Sequence, residues 1–152
     1  MFTSIVVGTD GSAPAREAVR YAGEMARLYG ATLHVVSAYH LFGDMVLVAP
    51  GLEDTVLAGA GVEERVRAEV ETMLSELRRD LEADRVTVMT YASAENPAQA
   101  ILDVAERQAA DLIVVGNRGI RNTRVLGSVP SNVVHHASCS VLIVHTWPPK
   151  PS

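Results

Sequence analysis

Two stretches of this chain hold residues whose types and spacing could do chemistry. The longer is "VVGNRGIRNTRVLGS", residues 114–128, which sets Gly116, Gly119 and Gly127 among Arg118, Arg121 and Arg124 directly after an apolar run. The shorter is "GTDGS", residues 8–12, where Gly8, Thr9 and Asp10 also follow an apolar run. Glycine lets the backbone take positive φ and come close to a ligand. Successive N–H groups in such turns make a concavity that accepts anions. Gly127-Ser128 stands just before a short helical pattern, and a helix N-terminus adds unsatisfied donors and about half a positive charge. The chemistry on offer is phosphate binding, with Arg118, between the first two glycines, as the direct contact and Arg121 and Arg124 solvated. Plain turn punctuation with solvated arginines fits the same spacing, so both readings stand. Asp10 could take a ribose hydroxyl, an adenine amine or a metal ion. It could equally serve, with Ser12, only the N–H groups of its own turn and helix start.

These loops need elements to position them. "SIVVGTD" (4–10) reads as a buried strand ending in a turn, followed by a helix with Ser12 as N-cap, Pro14 in its first turn and Gly30 as its stop. "ATLHVVSAY" (31–39) is strand-like. Residues 40–61 show no sustained period and read as a long connection in which Val46, Leu47, Val48 and Leu52 have no evident core position. Val62, Val66, Val70, Met73, Leu77 and Leu81 form the apolar stripe of a surface helix. "RVTVMTYA" (85–92) alternates as a strand. "NPAQAILDVAERQAA" (96–110) predicts a helix capped by Asn96 with Pro97 at its start. "DLIVVG" (111–116) is an apolar strand, "SVPSNVVHHA" (128–137) a shorter helix and "SVLIVHT" (140–146) the last strand. The alternation predicts one α/β domain over 1–147, a parallel sheet covered on both faces, with 148–152 as an extended tail. Ligands of such sheets bind outside the carboxyl ends of the strands, where the strand order reverses. Both glycine loops fall at such ends.

Bulk properties narrow the function. The chain has 152 residues, 48% of them hydrophobic, and a formal net charge of −5. An acidic balance argues against general nucleic-acid binding. No apolar run approaches the roughly 20 residues of a membrane helix, and the start lacks the pattern of a signal peptide. One cysteine, Cys139, allows no internal disulfide, and the expected location is the cytoplasm. Lys150 is the only lysine, so the Gly-Lys pair of a P-loop is missing and that class of NTPase is excluded. His135 and His136 are adjacent on a helix and point about 100° apart, which does not make a metal pair. His34 and His145, in strands, read as packed or hydrogen-bonded. No spacing of His, Cys, Asp and Glu suits a metal, Cys139 reads as an inert thiol, and no G-x-S-x-G elbow is present.

"SIVVGTDGS" at the start and "ADLIVVGNRG" followed by "LGSVPSNVVHHASCSVLIV" near the end resemble the universal stress protein family, over about residues 3–146. The resemblance implies a flavodoxin-like (Rossmann-like) sandwich with a five-stranded parallel sheet. It also implies a homodimer, often paired through the last strand, here 140–146. The family's ATP-binding branch carries Gly-x2-Gly-x9-Gly-Ser/Thr. Gly116, Gly119 and Gly127-Ser128 match it, with Val115 and Val129 flanking the phosphate loop, Asp10 as the strand-end acid and a backbone contact to adenine near Val35. The ligand so implied is ATP, with or without Mg2+. Two features depart from the pattern. Seven residues (120–126) separate Gly119 from Gly127 where nine are expected, and Pro130 replaces a residue that often carries a hydroxyl. "LGSVPSNV" and "VLIVHT" also resemble actinobacterial relatives that prefer cyclic AMP, whose single phosphate needs a smaller cradle.

Three functions follow from these residues. The first is a dimeric adenine-nucleotide binding module with a sensing or regulatory role in stress response. The second is a slow ATP hydrolase, which needs a metal and a group to position water; Asp10 could hold a metal through water, but no general base is evident. The third is a dimerisation or interaction protein without nucleotide.

Overall fold

The computed structural model describes residues 1–42, 45–47, 61–117 and 126–146. Strand and helix alternate along it: β1 (Ser4–Gly8), α1 (Ala13–Tyr29), β2 (Thr32–Ala38), β3 (His40–Phe42), β4 (Met45–Leu47), α2 (Val62–Ala83), β5 (Thr87–Ser93), α3 (Pro97–Arg107), β6 (Leu112–Gly116), α4 (Ser128–His136) and β7 (Ser140–Val144). Five strands form one sheet in the order β5-β2-β1-β6-β7, every neighbouring pair parallel. This is the parallel sheet covered on both faces that the alternation predicts, and the flavodoxin-like (Rossmann-like) sandwich that the family resemblance implies.

The apolar runs explain why. A strand covered on both faces must be apolar at successive positions, and Ile5, Val6 and Val7 are all fully buried. Alternate side chains separate into two cores. Ile5, Val7, Leu33, Val35 and Val114 pack with residues of α1 and α2, while Val6, Val36, Ile113 and Val115 pack with residues of α3 and α4. Local signals set the helix limits. The Ser12 hydroxyl accepts the Ala15 N–H at 3.2 Å, and the Asn96 side chain accepts the Gln99 N–H at 2.9 Å. Gly30 closes α1 at φ 65°, a conformation that favours glycine. At the amino end of the sheet, Asp111 Oδ2 accepts both the N–H and the hydroxyl of Thr3, at 2.8 and 2.9 Å, and so ties the entry of β6 to that of β1.

Three local expectations change. Residues 40–61 contain an antiparallel hairpin, β3 with β4, in which Phe42 registers with Met45. Strands of three residues are too short to show a period, although Gly43-Asp44 is a hairpin-type pair in the sequence. Residues 43–44 and 48–60, including Val48 and Leu52, lie outside the described residues, as does the tail 148–152. On α2 the buried residues are Val62, Val66, Val70, Leu74 and Leu81. Met73 and Leu77 pack only partly against that core, because Leu74 holds the i+4 place after Val70. Finally, β7 ends at Val144, and His145 is exposed between the buried Val144 and Thr146. Alternation beyond the strand turns this ring to solvent, correcting the reading of His145 as packed.

His34 is a buried histidine, 2% exposed, with Nδ1 2.9 Å from the Tyr91 hydroxyl on the adjoining strand. Burial holds its imidazole below the usual histidine range. A depressed histidine leaves the folded state neutral while the unfolded chain takes up a proton, so stability is full above the unfolded value of about 6.5 and is lost as pH falls toward the folded value. Denaturant unfolding between pH 7.5 and 5 is therefore expected to show a midpoint that drops on acidification. The His34→Gln variant should show a flatter pH dependence over that interval, whatever its stability at pH 7.5.

Candidate functional site

β1 lies between β2 and β6. The chain leaves β1 through α1 on one face of the sheet and enters β6 from α3 on the other. The two connections diverge at the carboxyl ends of β1 and β6, which is where an open α/β sheet forms its crevice. A cavity of about 180 Å³ occupies that place. Gly8, Thr9, Asp10, Ser12 and Ala15 line one side, and Gly116, Gly127, Ser128, Val129 and Pro130 another. Val36, Ala38, Val115, Pro97 and Ile101 supply an apolar floor.

The β1–α1 turn is rigid. Thr9 donates its N–H to the Val36 carbonyl at 2.9 Å, and its own hydroxyl accepts the Gly11 N–H at 3.2 Å. Gly11 sits at φ 79°, where a side chain would be strained. Asp10 Oδ1 accepts the Ser12 N–H at 2.9 Å. Asp10 thus does serve its own turn, as the simpler reading of that residue holds. A carboxylate offers about four acceptor sites, and this turn takes one of them. Gly8 is glycine for a different reason: a Cβ there would lie 2.5 Å from Cδ1 of Ile101.

The opposite wall is the start of α4. Gly127 occupies the N-cap at φ −60° and ψ 164°, and among the described residues no side chain caps the helix. In α1 and α3 the first-turn donors are met by Ser12 and Asn96. Here the N–H groups of Ser128 and Val129 stand at a cavity wall without such a cap, and Pro130 contributes none. Gly116 and Gly127-Ser128 line one cavity, and the Gly127 N–H reaches the Asn117 carbonyl at 3.1 Å.

Of the residues that the sequence singles out, Gly8, Thr9, Asp10, Val115, Gly116, Gly127, Ser128 and Val129 come together on this cavity. The side chain of Val35, near which the resemblance implies a backbone contact to adenine, turns into the core beneath α1 and α2, and Val36, one residue on, lines the cavity. Arg118, Gly119, Arg121 and Arg124 lie outside the described residues. Pro97 and Ile101 escape sequence reasoning because an i, i+4 apolar pair on a helix reads as ordinary core. Asn117 escapes it as a spacer between glycines. Cys139 is half-buried, and burial together with the charge of Asp111 pushes its thiol up, away from nucleophilic chemistry. Among the described residues, no group of three or more His, Cys, Asp or Glu could hold a metal ion, and no helix is long and apolar enough to cross a membrane.

A doubly wound sandwich with a glycine-walled cavity at its switch point defines a class of small α/β domains. The match is specific within that class: the chain belongs to the universal stress protein family, which it matches over residues 1–145. It is 36% identical to the universal stress protein in the QAH/OAS sulfhydrylase 3′ region of Thermus aquaticus, over 95% of this chain and 99% of the relative. A crystal structure of a universal stress protein in complex with cAMP is similar at 32% identity and a TM-score of 0.70, covering 95% of this chain and 98% of the other. The universal stress protein from Archaeoglobus fulgidus in complex with dAMP is similar at 26% identity and a TM-score of 0.66, covering 93% and 96%.

The Gly8–Ile101 contact generates a test of the cavity floor. A Cβ at the half-buried Gly8 has to displace the terminal methyl of Ile101, so Gly8→Ala should lower stability by about 1 kcal/mol in denaturant unfolding, the low end of overpacking costs. Adding Ile101→Val removes the clashing Cδ1 and should restore part of the loss. An additive double-mutant cycle would show that the two residues do not share this contact.

Proposed function

We propose that this chain binds an adenine nucleotide in the switch-point cavity and works as a sensing or regulatory module in stress response. The observation that carries the reading is the uncapped start of α4 standing on the same cavity as the Asp10 turn. The phosphate would lie against the Ser128 and Val129 N–H groups and the Ser128 hydroxyl, where the helix dipole favours an anion. The nucleoside would rest on Val36, Ile101 and Val115, with Asp10 at a sugar hydroxyl or the adenine amine. The cAMP and dAMP bound by two similar structures support an adenine nucleotide.

The family motif favours ATP. Cyclic AMP is the second reading, favoured by the short loop and by the missing donor at Pro130, since a single phosphate needs fewer contacts. Calorimetric titration with ATP and with cyclic AMP, each with and without Mg2+, tests both. Binding of at least one is expected, and the tighter one names the ligand; no binding of either overturns the reading. Asp10→Asn keeps the turn acceptor and removes the charge. It should leave the melting temperature of the free protein nearly unchanged and weaken nucleotide binding about tenfold, or about 1.4 kcal/mol.

The same reading includes a homodimer paired through residues 140–146. Its support is that β7 is an edge strand with Ile143 38% exposed, and open apolar edges invite pairing. Sedimentation velocity should show a dimer, and Ile143→Lys, which sets a charge on that edge, should shift it to monomer.

A further inference from the structure

Asn117 is a node between the cavity and the edge of the sheet. It follows Gly116, a cavity residue, and its carbonyl accepts the N–H of Gly127, another cavity residue, at 3.1 Å. Its own N–H donates to the Val144 carbonyl at 2.8 Å, where β7 ends. Its side-chain Oδ1 accepts two donors from one residue, the Thr146 N–H at 2.7 Å and the Thr146 hydroxyl at 2.9 Å. Thr146 is 6% exposed and Val144 3%, so these bonds are shielded from water. A buried donor without its acceptor is costly. The run beyond β7 therefore holds its path only while Asn117 holds its own.

We propose that Asn117 couples occupancy of the cavity to the end of β7, so that a bound nucleotide orders residues 140–146. This rests on the nucleotide reading of the cavity. A ligand held by the backbone at Gly116 and at Gly127-Ser128 fixes the residue before Asn117 and the Gly127 N–H that the Asn117 carbonyl accepts. Oδ1 then passes that order to Thr146, which no ligand touches. Coupling of this kind is reciprocal: anything that fixes the 140–146 edge, a second copy of the chain included, tightens nucleotide binding by the same factor. Asn117 acts as a positioning residue, through other groups.

Amide hydrogen exchange of the full chain, run beside the calorimetric titration, tests the proposal with whichever of ATP or cyclic AMP binds. Binding slows exchange across a whole protein through general stabilisation, so residues 87–93 of β5 serve as the internal reference. Saturating nucleotide is expected to slow exchange in 140–146 by at least about fivefold more than in 87–93, the low end of ordinary coupling. Asn117→Ala should still bind nucleotide and still show slowing in 112–116, yet lose the extra slowing in 140–146. Thr146→Val removes only the hydroxyl donor and should reduce it; this variant carries the test if Asn117→Ala does not fold. Nucleotide binding with equal slowing in both segments overturns the coupling, as does full retention of the extra slowing in either variant. No heat of binding with either nucleotide removes the site reading itself, and the titration distinguishes that failure from the failure of the coupling.

Discussion

Because β1 lies between β2 and β6, the chain cannot cover it from one side only. The connection through α1 and the later one through α3 must take opposite faces, and no side-chain packing closes the space between their ends at the carboxyl edge. At the amino edge the same strands are joined by the Asp111 carboxylate on Thr3. One end of the sheet is thereby pinned and the other left open. The cavity is a product of strand order, and most of its wall comes from strand ends and helix starts.

The local charge logic follows. A chain with a net charge of −5 is a poor general ligand for anions. Under the proposed nucleotide reading, overall charge gives an anion no long-range help, and recognition would rest on directed donors close at hand. Uncapped N–H groups at a helix start provide these without a mobile side chain. Asp10 faces them from the far wall, already aligned by its bond to the Ser12 N–H.

Much of this was legible in the sequence, for stated reasons. The apolar runs at 4–7 and 112–115 mark strands buried on both faces, and Ser12, Gly30 and Asn96 carry helix limits in their side-chain chemistry. Gly116 and Gly127-Ser128 were legible as one cradle because two glycine turns flank a loop between strand and helix. What was not legible depends on the third dimension. Whether Val35 or Val36 meets the cavity is a matter of parity, and a shift of one residue turns every side chain to the other face. Ile101 looks like core because it is core, and only the absence of a Cβ at Gly8 makes it a cavity wall as well. Asn117 has no periodic or motif signal. Its role comes from meeting Thr146 and Gly127, one beyond the last strand and the other at the start of the last helix. The β3–β4 hairpin is too short to print a pattern.

The closeness of residue 8 to Ile101 bears on how this pocket can diversify. The two positions stand far apart in the chain yet share one volume, so the size of one bears on the room left to the other. A smaller residue at 101 opens room at 8, and a larger residue at 8 displaces the terminal methyl of Ile101 and narrows the floor. The size of the floor is therefore a trait of a pair, one member on a strand and the other on a helix.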